Sequence, residues 1–419
     1  MTNKQDTPAA TSCADDFDPN SLNMEDAIKR IQSMLSPLNA YEQIDIRRAL
    51  GKTLFENVKS TINVPAYTNS AMDGYAIKHA ERENNLLLSG TAFAGKPFEG
   101  TLKDNETIRI MTGAAIPEGA DTVVMQEHVE TQESSIKLTR PISFGENIRK
   151  QGEDLKLGET ALQKGRQLRA SDIGLLASMG ISEVKVTRNL RVAFFSTGDE
   201  LKNVGEPLEH GQIYDSNRYT LHCMLEKLGC NVLDMGIIPD NIDEIESAFN
   251  TASKNSDVLI TSGGVSVGEA DFVKITLEKL GKVNFWKIAM KPGRPLAVGT
   301  IDNAYFFGLP GNPVSAMVTF YQFVQPALRF LMGQSQFENS VLHIKCISKL
   351  KKRPGRVEFQ RGILFKDENG DFVVKTTGNQ GSHVLSSMSK ANCFIILEQD
   401  SGNIDEGTIV KVQTFESLM

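Results

Sequence analysis

Three short turns between Ser196 and Pro313 carry the residues best suited to chemistry: Ser196-Thr197-Gly198-Asp199-Glu200, Thr261-Ser262-Gly263-Gly264-Val265-Ser266 and Leu309-Pro310-Gly311-Asn312-Pro313. Each follows a short apolar run that reads as a buried strand, and at least two lead into a helical pattern. Turns so placed fall on the carboxyl edge of one parallel sheet, where open α/β folds bind ligands. Backbone N–H groups freed by glycine at the positive ends of helices suit an anion such as phosphate. The second turn is the most telling, because two successive glycines let a ligand approach the backbone closely. A plain strand–helix turn is the competing reading.

Glu200, Asp240 and Asp271 lie just beyond strand ends of the same sheet. Carboxylates grouped beside a phosphate site can hold Mg²⁺ through part of its water shell; as caps or solvated loop acids they would do no chemistry. Lys287, Lys291 and Arg294 fall in Trp286-Lys287-Ile288-Ala289-Met290-Lys291-Pro292-Gly293-Arg294-Pro295. Two prolines and a glycine stiffen that backbone, and rigid donors lose less entropy on capturing a small oxyanion. Arg353, Arg356 and Arg361, with Lys349, Lys351 and Lys352, make a basic patch near the C-terminus. Nucleic-acid contact is the weaker reading of that patch, since the net charge is -7 and no aromatics interleave it. Arg361 could instead join an anion pocket. Ser70 to Ala76 surrounds Asp73 with small residues and reads physically as an interdomain turn. The six histidines are dispersed and read as surface or core residues.

A chain of 419 residues needs several cores. Residues 1–20 are polar and predict a disordered tail rather than a signal peptide. No apolar run is long enough for a membrane span, and the five scattered cysteines predict neither a zinc site nor disulfides but a reducing cytoplasm. The expected class is a multidomain α/β protein. Residues 21–58 with 150–189 form an N-terminal helix and a small α+β linking domain. Residues 59–149 form a mainly β domain, 190–333 a three-layer α/β domain on a central parallel sheet, and 334–419 a C-terminal β-barrel or sandwich. In the α/β domain the pattern predicts strands at Val192–Ser196, Val232–Ile238, Val258–Thr261, Val283–Ile288 and Tyr305–Gly308. Helices are predicted near Ser216–Leu228, Ile242–Ser253, Ala270–Leu280 and Val314–Leu331.

From about Met24 onward the chain resembles the molybdopterin molybdenumtransferase family, the bacterial MoeA proteins and the E domain of gephyrin. The stretches that carry the resemblance are Asn69 to Ala76, Arg109 to Ala114, Gly152 to Asp154, Phe195 to Leu201, Tyr214 to Asn217, Ser262 to Asp271 and Gly308 to Ser315. The resemblance implies an enzyme of molybdenum cofactor biosynthesis. It would take adenylated molybdopterin and molybdate, cleave the pyrophosphate link with Mg²⁺, and release AMP and the cofactor. By the same resemblance Glu200, Asp240 and Asp271 position Mg²⁺. Thr197, Gly198, Asp199, Asp215, Asn217, Ser262, Gly263, Gly264, Val265, Ser266, Pro310, Gly311, Asn312 and Pro313 hold the nucleotide and pterin. Lys291, Arg294, Ser315, Arg361 and Ser382 hold molybdate, and Lys287 steadies phosphate charge. Asp73 and Thr112 reach the cleft from the partner subunit of a homodimer, which meets other proteins of the cofactor pathway but neither nucleic acid nor membrane. The pattern expected in bacteria reads Lys-Pro-Gly-Lys-Pro; Arg294 here replaces a point charge by a planar fork. A non-catalytic scaffold of the gephyrin type is the alternative.

Overall fold

The computed structural model describes residues 21–264, 272–335 and 340–418. Among these described residues two compact units emerge, one from the stretch up to Ala40 together with the chain from Thr187 onward, the other Tyr41–Val186. The larger unit is built on six strands: β1 (Arg191–Thr197), β2 (Asn231–Ile238), β3 (Val258–Ser262), β4 (Gly281–Lys287), β5 (Pro295–Ile301) and β6 (Ala304–Leu309). Their order is β2-β1-β3-β6-β5-β4. The first four in that order run parallel, as the sequence predicts. β5 runs antiparallel to both of its neighbours, β6 and β4, so Val283–Ile288 points the same way as the other four predicted strands but is set apart from them by one reversed strand. The reason is local: only Asp302 and Asn303 separate β5 from β6, and so short a connection can join only antiparallel strands.

Alternate side chains of the buried strands enter two different cores. Val192 and Phe194 of β1 pack with Val258 and Ile260 of β3 on one face. Ala193, Phe195 and Leu259 pack on the other. Helix Ser216–Lys227 and the helical run 313–331 cover the first face through Leu221, Leu225, Val318 and Leu328. Helices Ile242–Asn255 and Phe272–Leu280 cover the second through Ile245, Phe249, Val273 and Leu277. This is the expected three-layer arrangement. The run 313–331 is not uniform: Phe320–Val324 forms a π turn between two α segments. Pro326 lacks an N–H and its ring crowds the carbonyl four residues back, and the widened turn relieves both. Helix Met24–Met34 adds Ala27 and Ile31 to the first core.

The C-terminal strands close into a five-stranded barrel. Val357–Lys366 pairs with Phe372–Thr376 on one side and Cys393–Leu397 on the other. Val341–Cys346 and Ile409–Thr414, the latter not anticipated, complete the circuit. Met290–Lys291 leaves the α/β chain to pair parallel with Val357 and Glu358 on the barrel wall.

The smaller unit holds a six-stranded mixed sheet from strands between residues 74 and 138. A separate core gathers Leu54, Leu162, Leu168 and Val186 around Leu176 of helix Ala170–Ser178.

Candidate active site

The three turns converge at the carboxyl edge of β1, β3 and β6. Adjoining β3 and β6 bring Ser262 opposite Leu309, and the Gly263 N–H donates to the Leu309 carbonyl at 3.1 Å. Asn217, in the first turn of helix Ser216–Lys227, donates through Nδ2 to Ser262 Oγ and to the Gly311 carbonyl, each at 2.7 Å. A β-carbon at Gly263 would stand 2.8 Å from the Thr197 carbonyl, and its φ of +93° lies in the left-handed region. The first and second turns therefore approach closely at Thr197 and Gly263, leaving no room for a β-carbon.

Two adjoining cavities open here. One, of about 430 Å³, is lined by Thr197, Gly198, Glu200, Asp240, Gly264, Asn312 and Ser315, among others. The other, of about 530 Å³, shares Thr197, Glu200, Gly263, Gly311 and Asn312 and adds Ser196, Tyr214, Asp215, Asn217, Ser262, Pro313 and His383. The N-termini of two helical segments, Ser216–Lys227 and Pro313–Thr319, face the second cavity through Ser216, Asn217 and Pro313, where their dipoles favour an anion. Asp215 is 2% exposed. Its Oδ1 accepts the Arg218 N–H at 3.1 Å, while its buried Oδ2 has no partner. The Ser196 hydroxyl is likewise buried and unpartnered. Buried polar atoms without partners are costly, and both belong to residues that line the space a ligand would fill.

Glu200 and Asp240 face the first cavity. Burial raises the Asp240 carboxyl above its ordinary range, and the negative charges of Asp199 and Glu200 add to the rise. Asp199 Oδ1 also accepts the Asp240 N–H at 3.2 Å. Like charges crowded in this way favour a cation between them. Among the described residues no three His, Cys, Asp or Glu side chains are gathered closely enough to hold an ion alone. Two carboxylates with ligand phosphates would suffice for Mg²⁺, which keeps several waters. Asp271, Val265 and Ser266 lie outside the described residues.

The predicted cations divide. Ser315 lines the first cavity beside Pro295, the last residue of the stiff loop. Lys287 ends β4 opposite Pro295 and lines neither cavity. Lys291 pairs with Glu358 on the barrel. Arg361 is 1% exposed; its Nε donates to Ser387 Oγ at 3.0 Å and its Nη2 to the Gly381 carbonyl at 2.9 Å. Burial pulls its guanidinium down to about 10. Arg361 thus holds the loop that carries Ser382, whose carbonyl accepts the Val314 N–H at the start of helix Pro313–Thr319. The basic patch expected near the C-terminus divides: Lys352, Arg356 and Arg361 are buried, while Lys349, Lys351 and Arg353 are exposed. His383, read from sequence as one of the dispersed histidines without a site role, lines the second cavity; a single histidine in a loop leaves no local signal.

In the smaller unit, Asp73 Oδ1 accepts both the N–H and the hydroxyl of Thr112, at 2.7 and 2.8 Å. The backbone bond, then the hydroxyl bond, hold this exposed carboxyl below its ordinary range. Two motifs far apart in sequence are thereby one constellation.

The fold and this edge of the sheet define a multidomain protein with a molybdopterin-binding type of α/β domain: residues 193–329 match the family described as "Probable molybdopterin binding domain". Residues 22–180 match the MoeA N-terminal region, domains I and II, and residues 344–415 the MoeA C-terminal region, domain IV. The chain belongs to the MoeA family. It is 48% identical over 403 residues to the molybdopterin molybdenumtransferase of Haemophilus influenzae, covering 95% of this chain and 100% of that protein. Gephyrin of Dictyostelium discoideum is 35% identical over 444 residues, covering 94% of this chain and 62% of gephyrin. The crystal structure of the molybdopterin biosynthesis MoeA protein of Pyrococcus horikoshii superposes with a TM-score of 0.82 at 28% identity, covering 94% of this chain and 100% of that one.

Proposed function

We propose that this protein is a molybdopterin molybdenumtransferase acting in molybdenum cofactor biosynthesis. It takes adenylated molybdopterin and molybdate, and it releases AMP and the loaded cofactor. The observation that carries the reading is the convergence of three turns, two helical N-termini and the Glu200–Asp240 pair on adjoining cavities. Backbone N–H groups of the turns bind the phosphates. The unpartnered Asp215 Oδ2 accepts from an N–H donor of the pterin. Glu200 and Asp240, with Asp271, would hold Mg²⁺, which would supply positive charge beside the pyrophosphate. Lys291, Arg294 and Ser315 receive molybdate, a tetrahedral dianion and a substrate here. Asp73 and Thr112 act at the cleft from the second subunit of a homodimer.

AMP release from adenylated molybdopterin, with and without molybdate, tests this for wild type and Asp240→Asn. Molybdate-dependent release that Asp240→Asn loses supports the transferase. No release from folded wild-type protein overturns it. Dimerisation is tested by sedimentation, and by mixing Asp73→Asn with Asp240→Asn chains: one restored site per mixed dimer is expected.

A further inference from the structure

Glu358 stands in none of the motifs read above, and the barrel wall places it beside the loop of cations. The short strand Met290–Lys291 aligns Lys291 with Glu358, and the Val357 N–H donates to the Ala289 carbonyl at 3.0 Å. Lys291 Nζ lies 3.7 Å from Glu358 Oε1. The two ends of this pair differ: the lysine side chain is 47% exposed and the glutamate side chain 5%. The Gln360 side chain donates from Nε2 to Glu358 Oε2 at 3.2 Å and to the Lys351 carbonyl at 2.9 Å, so the carboxylate is held from behind. The charges near it are unequal. Lys352, 4% exposed, feels Glu358 and Asp400 as attractions and Arg356 and Lys291 as repulsions. Its ammonium donates to the Arg353 and Gln399 carbonyls at 2.6 and 3.4 Å. Lys291 is therefore the cation paired with this buried carboxylate, while the Lys352 ammonium, which Glu358 and Asp400 attract, is bound to backbone carbonyls.

A lysine on four methylenes has many rotamers to lose when it meets a small anion. A fixed carboxylate at the base of its reach removes much of that cost in advance. We propose that Glu358 is a positioning residue that sets the reach of Lys291 toward the oxyanion substrate. The proposal rests on the reading that Lys291 meets molybdate. Glu358 itself does not touch the anion, which a carboxylate would repel. Its effect belongs in oxyanion affinity and not in the rate once the site is filled.

The test is molybdate binding to the full-length protein by titration calorimetry, for wild type, Glu358→Gln, Lys291→Ala and the double variant. Glu358→Gln is expected to weaken binding about tenfold, and the double variant to bind no worse than Lys291→Ala alone. In steady state its KM for molybdate rises while AMP release at saturating molybdate stays within about threefold of wild type. Glu358→Asp keeps the charge one methylene further back and should fall between; it also decides the matter where Glu358→Gln fails to fold. Unchanged binding in a folded Glu358→Gln or Glu358→Asp overturns the positioning role alone. So does a further loss in the double variant, which would mark a structural role. A wild-type protein that binds no molybdate overturns the oxyanion reading of Lys291, and the proposal with it.

Discussion

Asn217 and Ser262 are joined by a 2.7 Å bond from Nδ2 to Oγ, and the same Nδ2 reaches the Gly311 carbonyl at the same distance. One amide therefore ties the start of a helix to two of the three turns. Asn217→Ala leaves both acceptors without their donor and frees the turns to separate. AMP affinity, measured by titration calorimetry, is expected to fall about tenfold. An affinity equal to wild type would mean the turns keep their spacing without the amide.

Gly263 tests the neighbouring contact, between the second turn and the first. An added methyl group would meet the Thr197 carbonyl at 2.8 Å, on a residue with φ of +93°. Carbonyl and turn must both shift, at a cost of about 2 kcal/mol. Gly263→Ala should lower the denaturation midpoint in urea and abolish AMP binding. An unchanged midpoint would show that the first turn yields without strain.

Asp257 caps the base of the sheet and should make stability depend on pH. Burial pushes its carboxyl up. Bonds from Arg188 at 2.7 and 2.8 Å, and from the Arg191 N–H and side chain at 2.8 and 3.0 Å, outweigh burial and hold it well below the ordinary range. Its folded value is depressed, so its contribution is complete above the unfolded carboxyl range and is lost as pH falls through the folded one. Asp257→Asn is expected to cost about 2 kcal/mol at neutral pH. In urea unfolding at a series of pH values, the gap from wild type should narrow toward acid; a constant gap would contradict the assignment.

How far these relationships could be read from sequence depends on their range. Continuous apolar runs such as Val258–Thr261 announce buried parallel strands, because both faces must be covered. Pro295–Ile301 escaped because it opens with proline and carries Gly299, which demote a run from strand to loop. It is nonetheless a strand, since the two-residue hairpin to β6 leaves it nowhere else to go. Of the site, the turns and the placement of Glu200 and Asp240 at a cavity were legible because glycine and charge mark them locally. His383 and Glu358 were not. Each matters through a neighbour from a distant stretch of chain, and pairing of that kind leaves no periodicity. Arg361 was legible as a cation but not as a buried one, since its partners are mainly carbonyls.

Asp240 predicts the opposite pH behaviour from Asp257. Its carboxyl is raised by burial and by Asp199 and Glu200, so the ionised form at neutral pH weakens the fold. Asp240→Asn should therefore raise Tm at neutral pH, and the gain should vanish as pH falls through the carboxylate range. Glu200→Gln removes a like charge and should move that titration to lower pH. Thermal unfolding of the three proteins over a pH series checks both. An Asp240→Asn protein no more stable than wild type at neutral pH would contradict the crowding of these acids.

The Met290–Lys291 strand, which pairs with Val357 and Glu358, also bears on how the protein can be recombined with its relatives. Its residues belong by position to the α/β chain and by pairing to the barrel. A chimaera joined near Gly333, where the sequence changes character, would face a foreign barrel with the wrong edge strand and strand Lys291 beside a mismatched wall. A modular exchange must carry the segment from Ile288 to Pro295 along with residues 340–418. Domain borders drawn along the chain and borders drawn by heredity would then differ, and the difference would fall on the loop proposed to receive molybdate.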